Sequence, residues 1–454
     1  MRISSSLMFS LGINSIEKLQ SSMMNTQQQL SSGNRILTPA DDPVAAARVL
    51  DVSQSLSANG QYGTNTNSAS SALNLEDGVL ASVSQTIQNI QTQVVNAGNG
   101  SLTDADRQSL AANVTGQLQQ LLGLANTRDG SGQYLFSGYK GTTQPFVETA
   151  TGAQYSGDQG QRLVQIDSSR QIPVSDSGHD VFERVKTGNG VFVTAAASAN
   201  TGTGIVSQGT VVDQSKWNAP GNSKNYSVVF AVDNTGSLPV TTYDIVDNST
   251  GKSMITGNPS AAAASATGGP EFPRTYTSGN AIQFKQLATD PGPLPPAWDL
   301  GVSLTVSGAP AGSPPVGVSP LPGADTFTVQ ASTNQSLFTT IKQVISALQM
   351  PQSNATDTAA FNNNVNTAIN NLSNALDNVL TVRGGLGARL NEVDSVQTNG
   401  QTLNQNYTQQ LSNLQDVDYA KAISDLSSQQ MQLQAAQKSY LQVTGLSLFN
   451  YITP

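Results

Sequence analysis

The stretch ILTPADDPVAAARVL (36–50) sets two carboxylates, Asp41 and Asp42, side by side between Pro39 and Pro43. Adjacent carboxylates can hold a metal ion, or act as general acid and base when their surroundings drive their pKa values apart. They can also start a helix. The first helical turn leaves backbone N–H groups unpaired, and Asp at the N-cap accepts from them. Proline suits the first helical position, where its missing donor costs nothing. Asp42 as N-cap, Pro43 as first helical residue and Val44–Leu50 as continuing helix fit that pattern. Thr38 ends the preceding segment, because a residue before proline avoids helical geometry. Asp41 is then a turn residue favourable to the positive end of the helix. Capping is the stronger reading, since a metal site needs further ligands that the chain does not cluster.

Other chemistry is scarce. There is no cysteine and one histidine, His179, in the turn-like DSGHDVF, where it reads as a solvated loop residue. Zinc sites draw on several Cys and His ligands, and an H-E-x-x-H helix needs two histidines. A Ser–His–Asp arrangement would have to use His179, and no G-x-S-x-G turn leads from strand to helix near it. The expectation is therefore no catalytic residue, no metal and no cofactor. Trp217, Trp298, Tyr243 and Tyr276 could form a glycan platform, which would make the chain an adhesin; scattered aromatics in β modules are more often core.

The 454 residues carry 21 Lys plus Arg against 30 Asp plus Glu, which disfavours nucleic acid as a partner. Only 11% of residues are charged, against about 25% in ordinary soluble domains, and Ser, Thr, Asn and Gln fill the gap. Such neutral surfaces suit packing between many copies, and equally a solvated exterior. No stretch approaches the ~18 apolar residues of a membrane span. MRISSSLMFSLGINSIEKL has no continuous apolar core of signal-peptide length, so export would require a route without a cleaved signal.

Two helical ends bracket a strand-rich middle. Phe9, Ile16, Met23 and Leu30 recur every seven residues; Leu73, Leu80, Ile87 and Val94 do the same, with Val83, Ile90 and Ala97 as companion positions. Leu110, Val114, Leu118 and Leu121 form a third stripe. Towards the C-terminus Val365, Leu372, Val379, Leu386 and Val393 step by seven and continue past Gly400 to Tyr407 and Leu414, with Ala368, Ala375, Val382, Val396 and Leu403 alongside. Residues 357–414 would make a rod of roughly 85 Å at ~1.5 Å per residue. Tyr419, Leu426, Leu433 and Tyr440 restart the register, with Asp416 or Asp418 as N-cap, and Leu337, Ile341, Val344 and Leu348 share a face of a helix ended by Pro351. These are narrow heptad stripes that cannot bury themselves alone. The middle, 140–333, alternates short β-branched runs such as YSVVFAV, TTYDIV and VSLTVSG with Gly, Pro and Asn turns; DNSTGKSMI reads as a hairpin turning near Gly251, and SAAAASATGGPEFP and PGPLPPAW as loops. The predicted fold class is α + β and multidomain: long N- and C-terminal helices paired as a coiled-coil rod, with one or two all-β modules inserted in the middle.

LSSGNRILTPADDPVAAARVL (30–50) resembles the signature segment of the bacterial flagellin superfamily. NLEDGVLASVSQTIQNIQTQVVNAGNGSLTDADRQSLA (74–111), GQYLFSGYKGTTQPF (132–146), RGGLGARLNEVDSV (383–396) and the ending 414–452 are similar to its hook-associated branch. The matches cover most of 1–146 and 334–454. Gly384, Gly385 and Gly387 interrupt the long heptad run, at ~1 kcal/mol each relative to alanine, which a bend or a close helix contact would explain, or which the neighbouring helices simply tolerate.

The resemblance implies three layers: inner tube-forming helices from 1–38 with 416–454, a helical rod from 39–139 with 334–415, and an outward β-rich region 140–333, with two modules if it divides near 190–210. It implies a structural junction subunit between hook and filament, extracellular in the flagellum and secreted without a cleaved signal peptide. The implied partners are the first hook-associated protein, flagellin, further copies of the chain in a ring and an export chaperone, with no membrane insertion. Phe9, Ile16, Met23, Leu30, Tyr419, Leu426, Leu433 and Tyr440 are then the expected inter-subunit seam, and Asp42 and Pro43 the helix cap. A filament-forming flagellin is the alternative of the same fold.

Overall fold

The computed structural model of the chain describes residues 5–233, 237–257, 274–290, 297–312 and 324–445. Its helices are α1 (Ser5–Ser32), α2 (Pro43–Ala97), α3 (Asp104–Ala125), the short α4 (Gln214–Trp217), α5 (Leu337–Leu348), α6 (Ala355–Gln415) and α7 (Tyr419–Gly445). Strands lie between α3 and α5, so the architecture is α + β with a β region inserted between helical ends. The chain divides into two compact units, the first made of Met1–Ser68, Gln165–Gln171 and Glu392–Pro454, the second of Ala69–Val164 and Ile172–Asn391.

The second unit has a fully formed core. Along α2, Ala69, Leu73, Glu76, Leu80, Val83, Ile87, Ile90, Val94 and Ala97 are all buried, three or four residues apart. Helix α3 begins with a capping box: the Thr103 hydroxyl accepts from Asp106 N–H and the Asp106 carboxylate from Thr103 N–H. It buries Val114, Leu118 and Leu121 and packs against α5 and the strand Phe146–Thr149. Four phenylalanines, Phe136, Phe146, Phe182 and Phe338, meet with ring centroids 5.0 to 5.6 Å apart. Each buried ring stabilises by roughly 2 to 3 kcal/mol, and together they tie the hairpin Phe146–Tyr155 to α5.

The larger β structure is a two-sheet sandwich. One sheet runs Lys252–Ser253, Val240–Asp247, Asn225–Asp233, Thr326–Ala331, Phe192–Ala196, all antiparallel. The other pairs Asp299–Ser307 with Ala281–Lys285, Ile205–Val206 and Thr210–Val211. Their inner faces share one core that includes Phe192, Val206, Trp217, Tyr226, Phe230, Phe284 and Phe327. Phe192 and Val206 flank the Ala- and Gly-rich stretch 194–204, so the strands on both sides of it pack together. Gly251, at φ 68°, turns the hairpin between Asp247 and Lys252, where the Asp247 carboxylate accepts from Ser249 N–H. The loop SAAAASATGGPEFP lies outside the described residues, as does PGPLPPAW apart from Ala297 and Trp298.

In the first unit the α2 and α6 seams become polar. Asn59 Nδ2 donates to Gly400 O and to Asn404 Oδ1, both at 2.7 Å. Leu403, expected in that seam, stands 42% exposed. A straight helix turns every 3.6 residues and drifts ~20° per heptad from a strict seven-residue repeat, so by residue 400 the inward face has moved to Gly400 and Asn404. Helix α6 is continuous through Gly384, Gly385 and Gly387, and a Cβ at any of the three would meet open space. The close contact that would explain them is absent among the described residues.

Candidate functional site

Helices α1 and α7 pair within the first unit. Their register is antiparallel: the Phe9 ring meets the Tyr440 ring edge-on at 6.3 Å, and Gly33, just after α1, lies beside the Tyr419 hydroxyl. Gly12 permits the close approach at one end, since a Cβ there would lie 3.0 Å from the Tyr440 ring. Phe9, Ile16, Met23 and Leu30 all turn inward on α1, and Leu426, Leu433 and Tyr440 on α7. Tyr419 does not: it is 54% exposed, and Ala422 holds the buried position at that end.

The pair is incompletely covered. Each of the seven inward residues is only half-buried, and the closed positions are Thr26 and Ala422. Leu11, Ile13 and Met24 of α1 and Ile423 and Met431 of α7 remain exposed. Two narrow helices supply one shared seam and no second layer, so apolar surface is left on their outer sides.

The junctions between helices are stitched by backbone. Arg35 N–H donates to Gln415 O at 2.7 Å and Val417 N–H to Gly33 O at 2.9 Å, while Arg35 Nη2 reaches Leu414 O at 2.8 Å. The two opening carboxylates serve this region. Asp42 Oδ1 accepts from Ala45 N–H at 3.0 Å at the start of α2, and Asp41 Oδ2 accepts from Thr38 N–H at 2.7 Å and Leu37 N–H at 3.1 Å. Asp418 caps α7 through Lys421 N–H at 3.1 Å. The Thr38 amide holds the Asp41 carboxyl below its ordinary value, and the Ala45 amide does the same for Asp42. An acid–base pair needs one of them raised, so they are caps and not a reactive dyad. Among the described residues no cluster of His, Cys, Asp and Glu could hold a metal ion.

His179 opens a short π-helical turn and lies half-buried, its ring 6.5 Å from that of Tyr155, and not in an open loop. Trp217 and Tyr243 are buried in the sandwich core, with Tyr276 and Trp298 packed against that core. The Tyr276 hydroxyl donates to Val306 O or Gly308 O. Two of the four aromatics are therefore core, and the other two are half-buried against it.

One set of residues escaped the sequence reading. Beside its apolar stripe, α6 carries Asn363, Asn371, Asn374 and Asn378. Asn363 accepts from Val206 N–H and donates to Gly204 O, and Asn371 accepts from Gly188 N–H. Asn374 donates to Lys186 O and Gly188 O, and Asn378 to Asp180 O and Val181 O, all at 2.7 to 2.9 Å. These amides seat the inserted β region on the helix through its backbone alone. The asparagine-rich composition of 362–378 was the available signal.

Comparison with known proteins agrees with this geometry. Residues 3–141 match the bacterial flagellin N-terminal helical region and 364–452 the bacterial flagellin C-terminal helical region, together half of the chain. A flagellar hook-associated protein 3 from Escherichia coli K12 is 27% identical over 99% of both chains. Its namesake from Salmonella typhimurium is 38% identical over 42% of this chain and 59% of its own. The crystal structure of the flagellar junction protein FlgL from Legionella pneumophila superposes with a TM-score of 0.63 at 28% identity, covering 81% of this chain and all of that one. With both helical ends matched and the inserted β region between them, the chain belongs to the flagellin superfamily, a family of structural flagellar proteins, on its hook-associated protein 3 branch.

Proposed function

We propose that α1 and α7 are the surface through which this structural protein is built into the flagellum, at the junction of hook and filament. The half-covered seam carries the reading. Phe9, Ile16, Met23, Leu30, Leu426, Leu433 and Tyr440 pair within the chain, and the apolar residues left outside, Leu11, Ile13, Met24, Ile423 and Met431, await a neighbour. Short stripes of this kind bury too little to offset the entropy of ordering, so assembly supplies the missing surface. The chain works in the flagellum, an extracellular appendage, in association with other flagellar components. In finer detail, the first hook-associated protein lies on one side, flagellin on the other and copies of the same chain around the ring. Residues 1–38 with 416–454 form the inner layer, 39–139 with 334–415 the rod and 140–333 the outward region. The chain reaches its place without a cleaved signal peptide, with help from an export chaperone.

Electron microscopy of flagella from a strain lacking the chain tests the role. The expected result is hooks without filaments and flagellin shed into the medium; normal filaments contradict it. Purified chain that extended filament seeds into long polymers would favour a filament subunit instead. In a complemented strain Leu433→Asp leaves the β region folded and prevents incorporation; normal filament attachment in that variant removes the assignment of the seam.

A further inference from the structure

The buried stripe of α2 in the second unit contains a residue foreign to an apolar seam. Glu76 stands one heptad before Val83, between Leu73 and Leu80, and is fully buried. Its Oε1 accepts the Asp176 N–H at 3.0 Å. Its Oε2 is buried without a hydrogen-bond partner among the described residues.

The charged groups facing it are Asp176, from the segment after the strand Arg170–Pro173, Arg389 from α6, and Arg162. Each cation is already engaged. Both terminal nitrogens of Arg389 bond Asp176, at 3.0 and 2.9 Å, and Gln161 adds a third bond to Asp176 at 2.7 Å. Arg162 is held by Asp129 at 3.1 Å and Gln133 at 2.8 Å. The neighbouring Asp77 is taken by Arg383 at 2.8 Å. An ionised Glu76 would therefore place a second carboxylate beside Asp176 with one oxygen unsolvated, which a buried site disfavours strongly. Burial first, and the Asp176 carboxylate second, push the Glu76 carboxyl up to about 8.

We propose that Glu76, Asp176 and Arg389 form a protonation-controlled latch: neutral Glu76, with its proton on Oε2, lets residues 172–178 close onto the α2 seam, and loss of that proton to water releases them. The closed segment is held at its other contacts by Val174 N–H to Arg162 O and Gly178 N–H to Phe136 O, both within the second unit. Below the ordinary glutamate value of 4.5 the folded and unfolded chains both hold the proton. Between that value and about 8 the unfolded chain has released it and the folded chain has not, so the latch weakens as pH rises. Above that range the loss is complete.

Hydrogen exchange of the full-length chain across about pH 6.5 to 9.5, corrected for intrinsic rates, tests the latch. In the wild type, peptides covering 172–178 lose protection as pH rises towards about 8, approaching ten-fold per pH unit below that midpoint, and level off above it. In Glu76→Gln, which keeps the shape and cannot ionise, protection stays level. Parallel loss in both proteins, or none in the wild type, overturns the proposal. Should Glu76→Gln fail to fold, carbon-13 NMR of side-chain carboxyls in glutamate-labelled wild type decides: one signal titrating well above the rest supports the latch, and all signals titrating below about pH 6 overturn it.

Discussion

The α1–α7 pair and the helices of the second unit use the same heptad pattern and reach opposite results. Leu73, Leu80, Val83, Leu118, Leu121, Leu372 and Val379 are closed from solvent, while Phe9, Ile16, Leu426 and Leu433 are half-open. What differs is the number of layers. The second unit adds α3, α5 and a phenylalanine cluster to its share of the long helices, whereas in the first unit α1 and α7 pair with each other among the described residues. A seam of given composition thus becomes either a core or an interface according to what else the chain brings to it.

The contrast can be broken most severely at Leu118. Leu118→Asp buries an unpaired carboxylate in the closed core and should cost more than about 4 kcal/mol, seen in urea unfolding followed by circular dichroism. Removing the backbone seat, Asn374→Ala with Asn378→Ala, takes one donor from each of four carbonyls, of which Gly188 O keeps Gln208 Nε2, and should cost about 2 kcal/mol in all. The signature is faster hydrogen exchange across 180–190 with unchanged helix content. Gly385→Ala, where a Cβ meets open space, should stabilise the free chain by up to ~1 kcal/mol through helix propensity, read in urea unfolding; a loss in the free chain would contradict that open space. Leu433→Asp sharpens the comparison from the other side, shifting the unfolding of the second unit by less than about 0.5 kcal/mol, because that unit does not depend on α7 for its core.

Much of this was readable in the residues, and the failures have physical causes. Leu73, Leu80, Ile87 and Val94 repeat without interruption, so the second-unit stripe was plain, as was the cap at Asp42 before Pro43. Glu76 occupies the heptad position before Val83 and was passed over because its type signals solvent; only its depth shows that it belongs to the seam. Leu403 and Tyr419 follow the seven-residue count, yet helical drift and the start of a new helix turn them outward. The asparagines of α6 look like a solvated face in sequence, since their partners are backbone groups of a distant segment. Long-range backbone recognition leaves no periodic trace.

Hydrogen exchange of the purified free subunit bears most directly on the central claim. The account predicts strong protection along 69–97, 104–125 and 355–391, with little in 5–32 and 419–445. Equal, strong protection of the two terminal helices in the isolated chain would show that their pairing is complete without neighbours, and would contradict it.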